Sequence, residues 1–293
     1  MKLPVSLLFS VLLFVSTSVF SQKLTNSWTS LLTKDGRNFD VFIGVPHTSL
    51  TDPEVANVPK GDGMKGTPLG LHNDPLHVFT IEMVDGQPVL HISGKIFGGF
   101  STKEEYGNYH LKVEFKWGEK KYAPKLNVKR DNGILYHCKD PQGQFWNVWL
   151  RGHEFQVQEG DMGDYFALAG VGMDVHTKKK DTTKKARFIY DPAAPLHPLT
   201  SFRTPTNESA HLAGDFEKPN GEWNTLELYC FGTTAVHVVN GHVVMVLENS
   251  RTSPKDGEET PLTNGKIQFQ CEGAEAYYRN IQITKLDKLP DFK

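Results

Sequence analysis

Strict alternation of polar and apolar residues limits the fold of this chain more than any other feature. In residues 110–117 His110, Lys112, Glu114 and Lys116 alternate with Leu111, Val113, Phe115 and Trp117. A period of two sends each set to its own face of a half-buried strand. Residues 223–231, 266–271 and 278–286 read as further strands, with Gly265 and Gly273 as punctuation. The runs TAVHVV and HVVMVL flank Asn240-Gly241. That dipeptide tolerates the positive φ angles of a type I′ turn, so the two runs predict a hairpin. No long amphipathic helical pattern, internal repeat or heptad accompanies them. Many strands with few helices predict an all-β fold of two packed antiparallel sheets, with residues 22–293 as one domain.

The first residues bear on compartment. Lys2 precedes an apolar run over residues 7–15, followed by Ser16, Thr17 and Ser18 and then Val19-Phe20-Ser21 before Gln22. Charged start, hydrophobic segment and small-residue cleavage site read as a secretory signal over residues 1–21. The mature chain is expected to be exported, with the periplasm as its compartment. No later run reaches the roughly 20 apolar residues that a membrane helix needs. A formal net charge of -2 argues against nucleic acid as a partner. Cys138, Cys230 and Cys271 have no metal-ligand spacing, and their odd count leaves at least one thiol unpaired in an oxidising compartment. Residues 45–76 and 176–219, rich in proline, glycine and polar residues, are expected to be loops decorating the sandwich. Within the second lie Lys178, Lys179, Lys180, Lys184 and Lys185, read as a solvated loop, and the Asn207-Glu208-Ser209 sequon, read as incidental.

A strand over residues 153–158 carries the candidate chemistry. Glu154, Gln156 and Gln158 share one face while Phe155 and Val157 point into a core. Polar groups in a row on a sheet face suggest a ligand groove. Glu159 breaks the alternation, and a one-residue bulge would rotate it onto the Glu154 face. The spacing Glu154, Gln156, Glu159 is similar to the E-x-D-x-x-E strand of laminarinase-like endoglucanases, where two carboxyl groups about 5 to 5.5 Å apart support retaining hydrolysis. Gln156 replaces the central acid. An amide neither relays protons nor holds a neighbouring glutamate protonated by repulsion, which argues against ordinary double displacement.

The wider pattern is more specific. RDNGILYHC (130–138), WNVWLRGHEFQVQEGDMGDYF (146–166), GEWNTLELYCFGTTAVHVVNGHVV (221–244) and GKIQFQCEGAEAYYRNIQI (265–283) occur in order, together with GGFSTKEEYGNYHLKVEFKW. From about Trp28 to Leu286 the chain resembles the 3-keto-disaccharide hydrolase family. The resemblance implies a concanavalin A-like jelly roll acting on glycosides already oxidised at carbon 3, by 1,2-elimination and hydration whose sum is hydrolysis. A ketone at carbon 3 acidifies the hydrogen on carbon 2, so a base removes it and the enolate expels the group on carbon 1. Such a site needs a base, an acid and a donor or cation at the enolate oxygen.

Glu154 is the first candidate for acid or base, with Gln156 orienting it; His137 is next, at the end of a neighbouring strand, with an imidazole that titrates near neutrality. Glu159 and Asp161 are candidate further carboxylates, set against a plain turn at Glu-Gly-Asp. Arg130 or Arg151 would stabilise the enolate, and Tyr136, Trp146 and Trp149 would stack on a sugar ring, each against a structural role in ion pairing or core packing. Adjacent hydroxyl and keto oxygens can chelate a divalent metal, for which His137, Glu154 and Glu159 are the candidate ligands. No compact metal motif and no dinucleotide fingerprint occurs. A separate sugar 3-oxidoreductase upstream is therefore implied. Two rival readings are a lectin-like carbohydrate-binding module without turnover and a family 16-type endoglucanase. Intact-mass measurement on protein recovered from its native host is expected to place the mature terminus at Gln22; functional protein that retains Met1 would refute the signal.

Overall fold

The computed structural model describes residues 26–180, 187–201 and 209–292. The signal reading lies outside these residues, as do Lys184, Lys185, Asn207 and Glu208. Two antiparallel sheets form a jelly-roll sandwich. The larger runs in the order Arg187–Tyr190, Val171–Lys180, His242–Thr252, Thr234–Val239, Asn224–Phe231, Tyr109–Lys121, Ala274–Lys285, Gln87–Ile92, Phe79–Val84. The smaller runs Ser209–Ala210, Tyr165–Leu168, Arg151–Gln158, Asp131–Lys139, Lys266–Cys271, Gly98–Thr102, Phe39–Ile43, Gly70–Leu71. Among the described residues, Pro53–Val55 supplies the only helical turn, a 3-10 turn.

Alternation decides which side chains meet between the sheets. Leu111, Val113, Phe115 and Trp117 of the Tyr109–Lys121 strand are buried, as are Leu226 and Leu228 on its neighbour. From the smaller sheet Ile134, Tyr136, Phe155 and Val157 join the same core. Burying a side chain of that size contributes about 1.5 to 3 kcal/mol, so a register slip that turned either strand over would forfeit several such terms. Asn240 and Gly241 adopt φ of 50° and 82° and close the expected hairpin with Val239 opposite His242.

Residues 176–219 depart from the loop expectation. Lys178 and Lys179 belong to the Val171–Lys180 strand, which pairs with Arg187–Tyr190 and with Leu196–Thr200. Pro198 sits in the last of these opposite Asp174, at a sheet margin where its missing N–H breaks no ladder. Proline and lysine therefore mark edge strands here as well as loops. All three cysteines are buried and free.

His137 and Tyr136 also depart from expectation, because both lie in the core between the sheets. The ladder slips between Tyr136 and Lys139 while His137 takes a left-handed φ of 49°. This turns the His137 ring inward, edge-on to Tyr109 at 6.1 Å and to His153 at 6.3 Å. The Tyr136 hydroxyl meets His237 Nε2 at 3.1 Å. Burial lowers His137 and His237 to about 4 and His153 well below its usual value.

These imidazoles are neutral in the fold, whereas in the unfolded chain they bind protons near pH 6.5. Their contribution to stability is complete above that value and is lost as pH falls toward 4. A His137→Phe variant is expected to gain on the wild type in thermal midpoint as pH falls from 7 to 4.5. A difference between the two that stays constant across that range would count against the linkage.

Candidate functional site

With Phe155 and Val157 committed to the core, Glu154, Gln156 and Gln158 project from the opposite face of the smaller sheet. There they line a cavity of about 220 Å³. Asp131 opposes Gln158, Gly133 opposes Gln156 and Leu135 opposes Glu154. On the other side of the same strand Gln268 opposes Leu135. Continuing that register sets Gln270 beside Gly133 and Glu272 beside Asp131, and both line the cavity. Phe145, Trp146, Trp149 and Phe166 form apolar walls, and Lys125 enters from the segment after the Tyr109–Lys121 strand. Larger hollows of about 660 and 510 Å³ share Tyr190, Pro192 and Ala213, and Asp191 is the only carboxylate lining either.

Two carboxyl groups share one cation, with Glu154 in the same cavity. Lys125 Nζ lies 2.7 Å from Asp131 Oδ2 and 2.6 Å from Glu272 Oε1. Burial pushes Glu272 up and Asp131 adds to this, while Lys125 works against it. Burial alone would weaken the Lys125 ammonium, yet Glu272 and Asp131 hold it above the usual lysine range. Glu154 is 4% exposed. Burial pushes its carboxyl well above the usual range, and the charges of Glu272 and Asp131 push the same way. Burial at this site thus favours the protonated form of the Glu154 carboxyl, against the lowering effects of Gln270 and Lys125.

Gly133 makes room for this arrangement. A Cβ there would stand 2.3 Å from Glu154 Oε1 and 2.5 Å from Gln270 Oε1. The glycine lets side chains from two flanking strands meet over the strand between them. Gln270 Oε1 is buried without a hydrogen-bond partner, beside the acid. Asn132 fixes the Gln270 strand from below, its Nδ2 donating to Gln270 O at 2.6 Å, while Tyr278 Oη donates to Asn132 Oδ1 at 2.7 Å.

Of the residues singled out from sequence, the structure brings Glu154, Gln156, Trp146 and Trp149 together around the cavity. Glu159 lies elsewhere. The strand ends at Gln158 with no bulge in the Asp131–Tyr136 ladder. The Glu159 carboxylate instead accepts from the Arg130 backbone N–H at 2.7 Å, the Arg130 guanidinium at 2.6 Å and Asn220 at 2.7 Å. Arg130 is thereby the ion-pair partner of Glu159, and Asp161 pairs with Lys129 at 2.5 Å. Arg151 stands at the far end of the strand opposite Lys139, away from the cavity lining. Tyr136 and His137 occupy the core. His137, Glu154 and Glu159 therefore do not converge, and among the described residues no group of three or more His, Cys, Asp or Glu is placed to hold a metal.

Sequence reasoning missed Glu272, Gln270, Asp131 and Lys125. A signal existed for the first two, since Gln268, Gln270 and Glu272 alternate with Ile267, Phe269 and Cys271 as a second polar ladder. Lys125 has no such signature, because a loop side chain carries no period.

A family model described as the 3-keto-alpha-glucoside-1,2-lyase-like domain matches residues 27–284. Among solved structures, a candidate glycosyl hydrolase from Parabacteroides distasonis is 20% identical, with a TM-score of 0.46 over 89% of this chain and 100% of that one. A second from the same organism is 18% identical, with a TM-score of 0.43 over 71% and 83%. The carbohydrate binding module CBM66 from Bacillus subtilis is 7% identical, with a TM-score of 0.41 over 71% and 92%. No curated protein matches the chain.

The crowding at Gly133 has a measurable consequence. Gly133→Ala is expected to lower stability by about 1 to 3 kcal/mol in urea unfolding, as overpacked sites do. Unchanged stability would show that Glu154 and Gln270 do not need the space.

Proposed function

The chain belongs to the 3-keto-alpha-glucoside-1,2-lyase-like family, and from that premise we propose that it cleaves 3-keto-glycosides by elimination across carbons 1 and 2 followed by hydration. The observation that supports this most is that one cavity holds Glu154, whose protonated form burial favours, together with Asp131 and Glu272 paired to Lys125. Enolate chemistry needs those parts, and a covalent nucleophile is not among them.

The sugar ring lies with its carbon 3 oxygen toward Glu154 and carbon 2 toward Glu272. In its ionised form Glu272 takes the carbon 2 hydrogen, and its raised pKa makes it a stronger base. The Glu154 proton is donated to the carbon 3 oxygen as negative charge develops there, with Lys125 adding a positive field in a site of low dielectric. As the double bond forms between carbons 1 and 2, the carbon 3 ketone re-forms and gives its proton back to Glu154, while the carbon 1–oxygen electron pair leaves with the departing group, which recovers the proton from Glu272. Hydration runs the sequence backward with water: Glu272 takes a proton from water, the hydroxyl joins carbon 1, and carbon 2 is reprotonated. Gln156 and Gln270 are placed to hold ring hydroxyls, with Trp149 as an apolar wall.

In this reading oxidation at carbon 3 belongs to a separate oxidoreductase acting first, and export by the signal expected over residues 1–21 supports a reaction outside the cytoplasm. Among the described residues no helix is long and apolar enough to cross a membrane.

Glu154→Gln is expected to lower kcat by about 100-fold or more while KM changes little, since proton transfer by a positioned group contributes 100 to 10,000-fold. Turnover in deuterated water is expected to place deuterium on carbon 2 of the released 3-keto sugar above an enzyme-free control. Its absence rejects elimination, equal cleavage of the unoxidised glycoside indicates an ordinary glycosidase, and binding without cleavage indicates a lectin. A bell-shaped pH profile of kcat/KM is expected, rising as Glu272 ionises and falling as Glu154 loses its proton. Lys125→Met removes the cation that favours ionised Glu272, so the acid limb is expected to move to higher pH; movement to lower pH would exclude Glu272 as the base.

A further inference from the structure

We propose that the group removed from carbon 1 is a flat apolar aglycone, a phenol or similar aryl alcohol, seated in a chamber that adjoins the acid cavity. This rests on the reading of the acid cavity as the 3-keto-glycoside site. The chamber, of about 420 Å³, is walled by Met64, Phe97, Pro124, Val128 and Trp146. Lys125, Asp131, Trp146 and Gln158 line both spaces, so the two share a wall where a carbon 1–oxygen bond would cross.

Three observations favour an aryl group over a second sugar. First, the lining leaves apolar surface in water: Val128 is 51% exposed and Trp146 43%. Clustered exposure of that kind beside a cavity marks a ligand surface.

Second, Trp146 is held there against backbone preference. It takes a left-handed φ of 52°, followed by Asn147 at 57°. Bulky residues rarely adopt that region, and holding one there costs about 1 to 3 kcal/mol. The Val148 N–H donates to Phe145 O at 3.0 Å and Asn147 Nδ2 to Met64 O at 3.1 Å, fixing the turn. Phe145 stacks against Trp146 at 4.8 Å and 18°, extending a flat apolar platform.

Third, both cations in this chamber are engaged. Lys125 pairs with Asp131 and Glu272, and Lys129 pairs with Asp161. A second pyranose would bring hydroxyls at nearly every carbon to a wall whose open partners are Asp131 Oδ1 and the Gln158 side chain, fewer than those hydroxyls, whereas an aryl ring asks for none.

The leaving-group chemistry agrees. A phenol ionises near pH 10, as tyrosine does, far more readily than a sugar hydroxyl. The electron pair of the broken carbon 1–oxygen bond can rest on phenolic oxygen beside the Lys125 ammonium until the proton from carbon 2 reaches it through Glu272. The products after hydration are one phenol and one 3-keto sugar, with one water consumed.

The test compares a 3-keto phenyl glucoside with a 3-keto disaccharide of the same anomer. The expected kcat/KM is roughly tenfold or more in favour of the phenyl compound, the scale on which apolar pockets discriminate. A 3-keto cyclohexyl glucoside, apolar but with a poor leaving group, is expected to show the lower KM of the phenyl compound without its kcat. Val128→Asn is expected to raise KM for both apolar glycosides and shrink their advantage over the disaccharide. Calorimetric titration with the unoxidised phenyl glucoside and disaccharide reads binding independently, and tighter phenyl binding is expected. A disaccharide that is cleaved faster or bound more tightly, or a Val128→Asn preference equal to the wild type's, overturns the aryl aglycone. If no 3-keto compound is cleaved, the catalytic reading fails while the titrations still decide what the chamber holds.

Discussion

Desolvation of carboxyl groups around a single lysine is the interaction on which the site depends. Glu154, Glu272 and Asp131 are each less than a tenth exposed, and between them stands Lys125. Two unit charges 4 Å apart interact by about 4 kcal/mol at an effective dielectric near 20. One cation at hydrogen-bond distance does not fully offset this burial: Glu272 is still pushed up to about 8 by desolvation and Asp131, and Glu154 is pushed well above the usual carboxylate range. The proposed division of labour between acid and base follows from position: Glu272 is in direct contact with the Lys125 ammonium, which favours its ionised form, and Glu154 has no ion pair with it.

The sandwich makes that desolvation available. Packing of Phe155 and Val157 against the larger sheet fixes the other face of the same strand as the cavity floor. The strands on either side of Gly133 then deliver Glu154 and Gln270 to one point, and Phe145, Trp149 and Phe166 supply aromatic walls around it. A polar ladder on an open sheet would be solvated and would titrate normally. Under those walls it becomes a set of groups with displaced proton affinities.

The departures from sequence expectation share a physical origin. Glu159 and Asp161 lie just past the strand end, where nearby cations, Arg130 and Lys129, claim them. Tyr136 follows Ile134 into the core by plain alternation, while His137, which alternation would send to the cavity face, is turned inward by its left-handed backbone. The strands within residues 176–219 escaped notice because lysine and proline dominate them, and those residues are as compatible with edge strands as with loops. Each error came from a local pattern whose meaning depends on a neighbour distant in sequence.

By itself the sequence determined the all-β class, the Asn240-Gly241 hairpin, the face of the strand that carries Glu154 and Gln156, and membership of a family, because period, turn chemistry and motif order are properties of the chain read in one dimension. Tertiary structure alone decided that Glu272, Gln270, Asp131 and Lys125 complete the cavity and that Glu159 and His137 do not. Lys125 and Glu272 are 147 residues apart in the chain and 2.6 Å apart in space. Which acids meet, and which of them keeps its proton, depends on register between strands and on the water excluded around them, and neither quantity is written in any single segment.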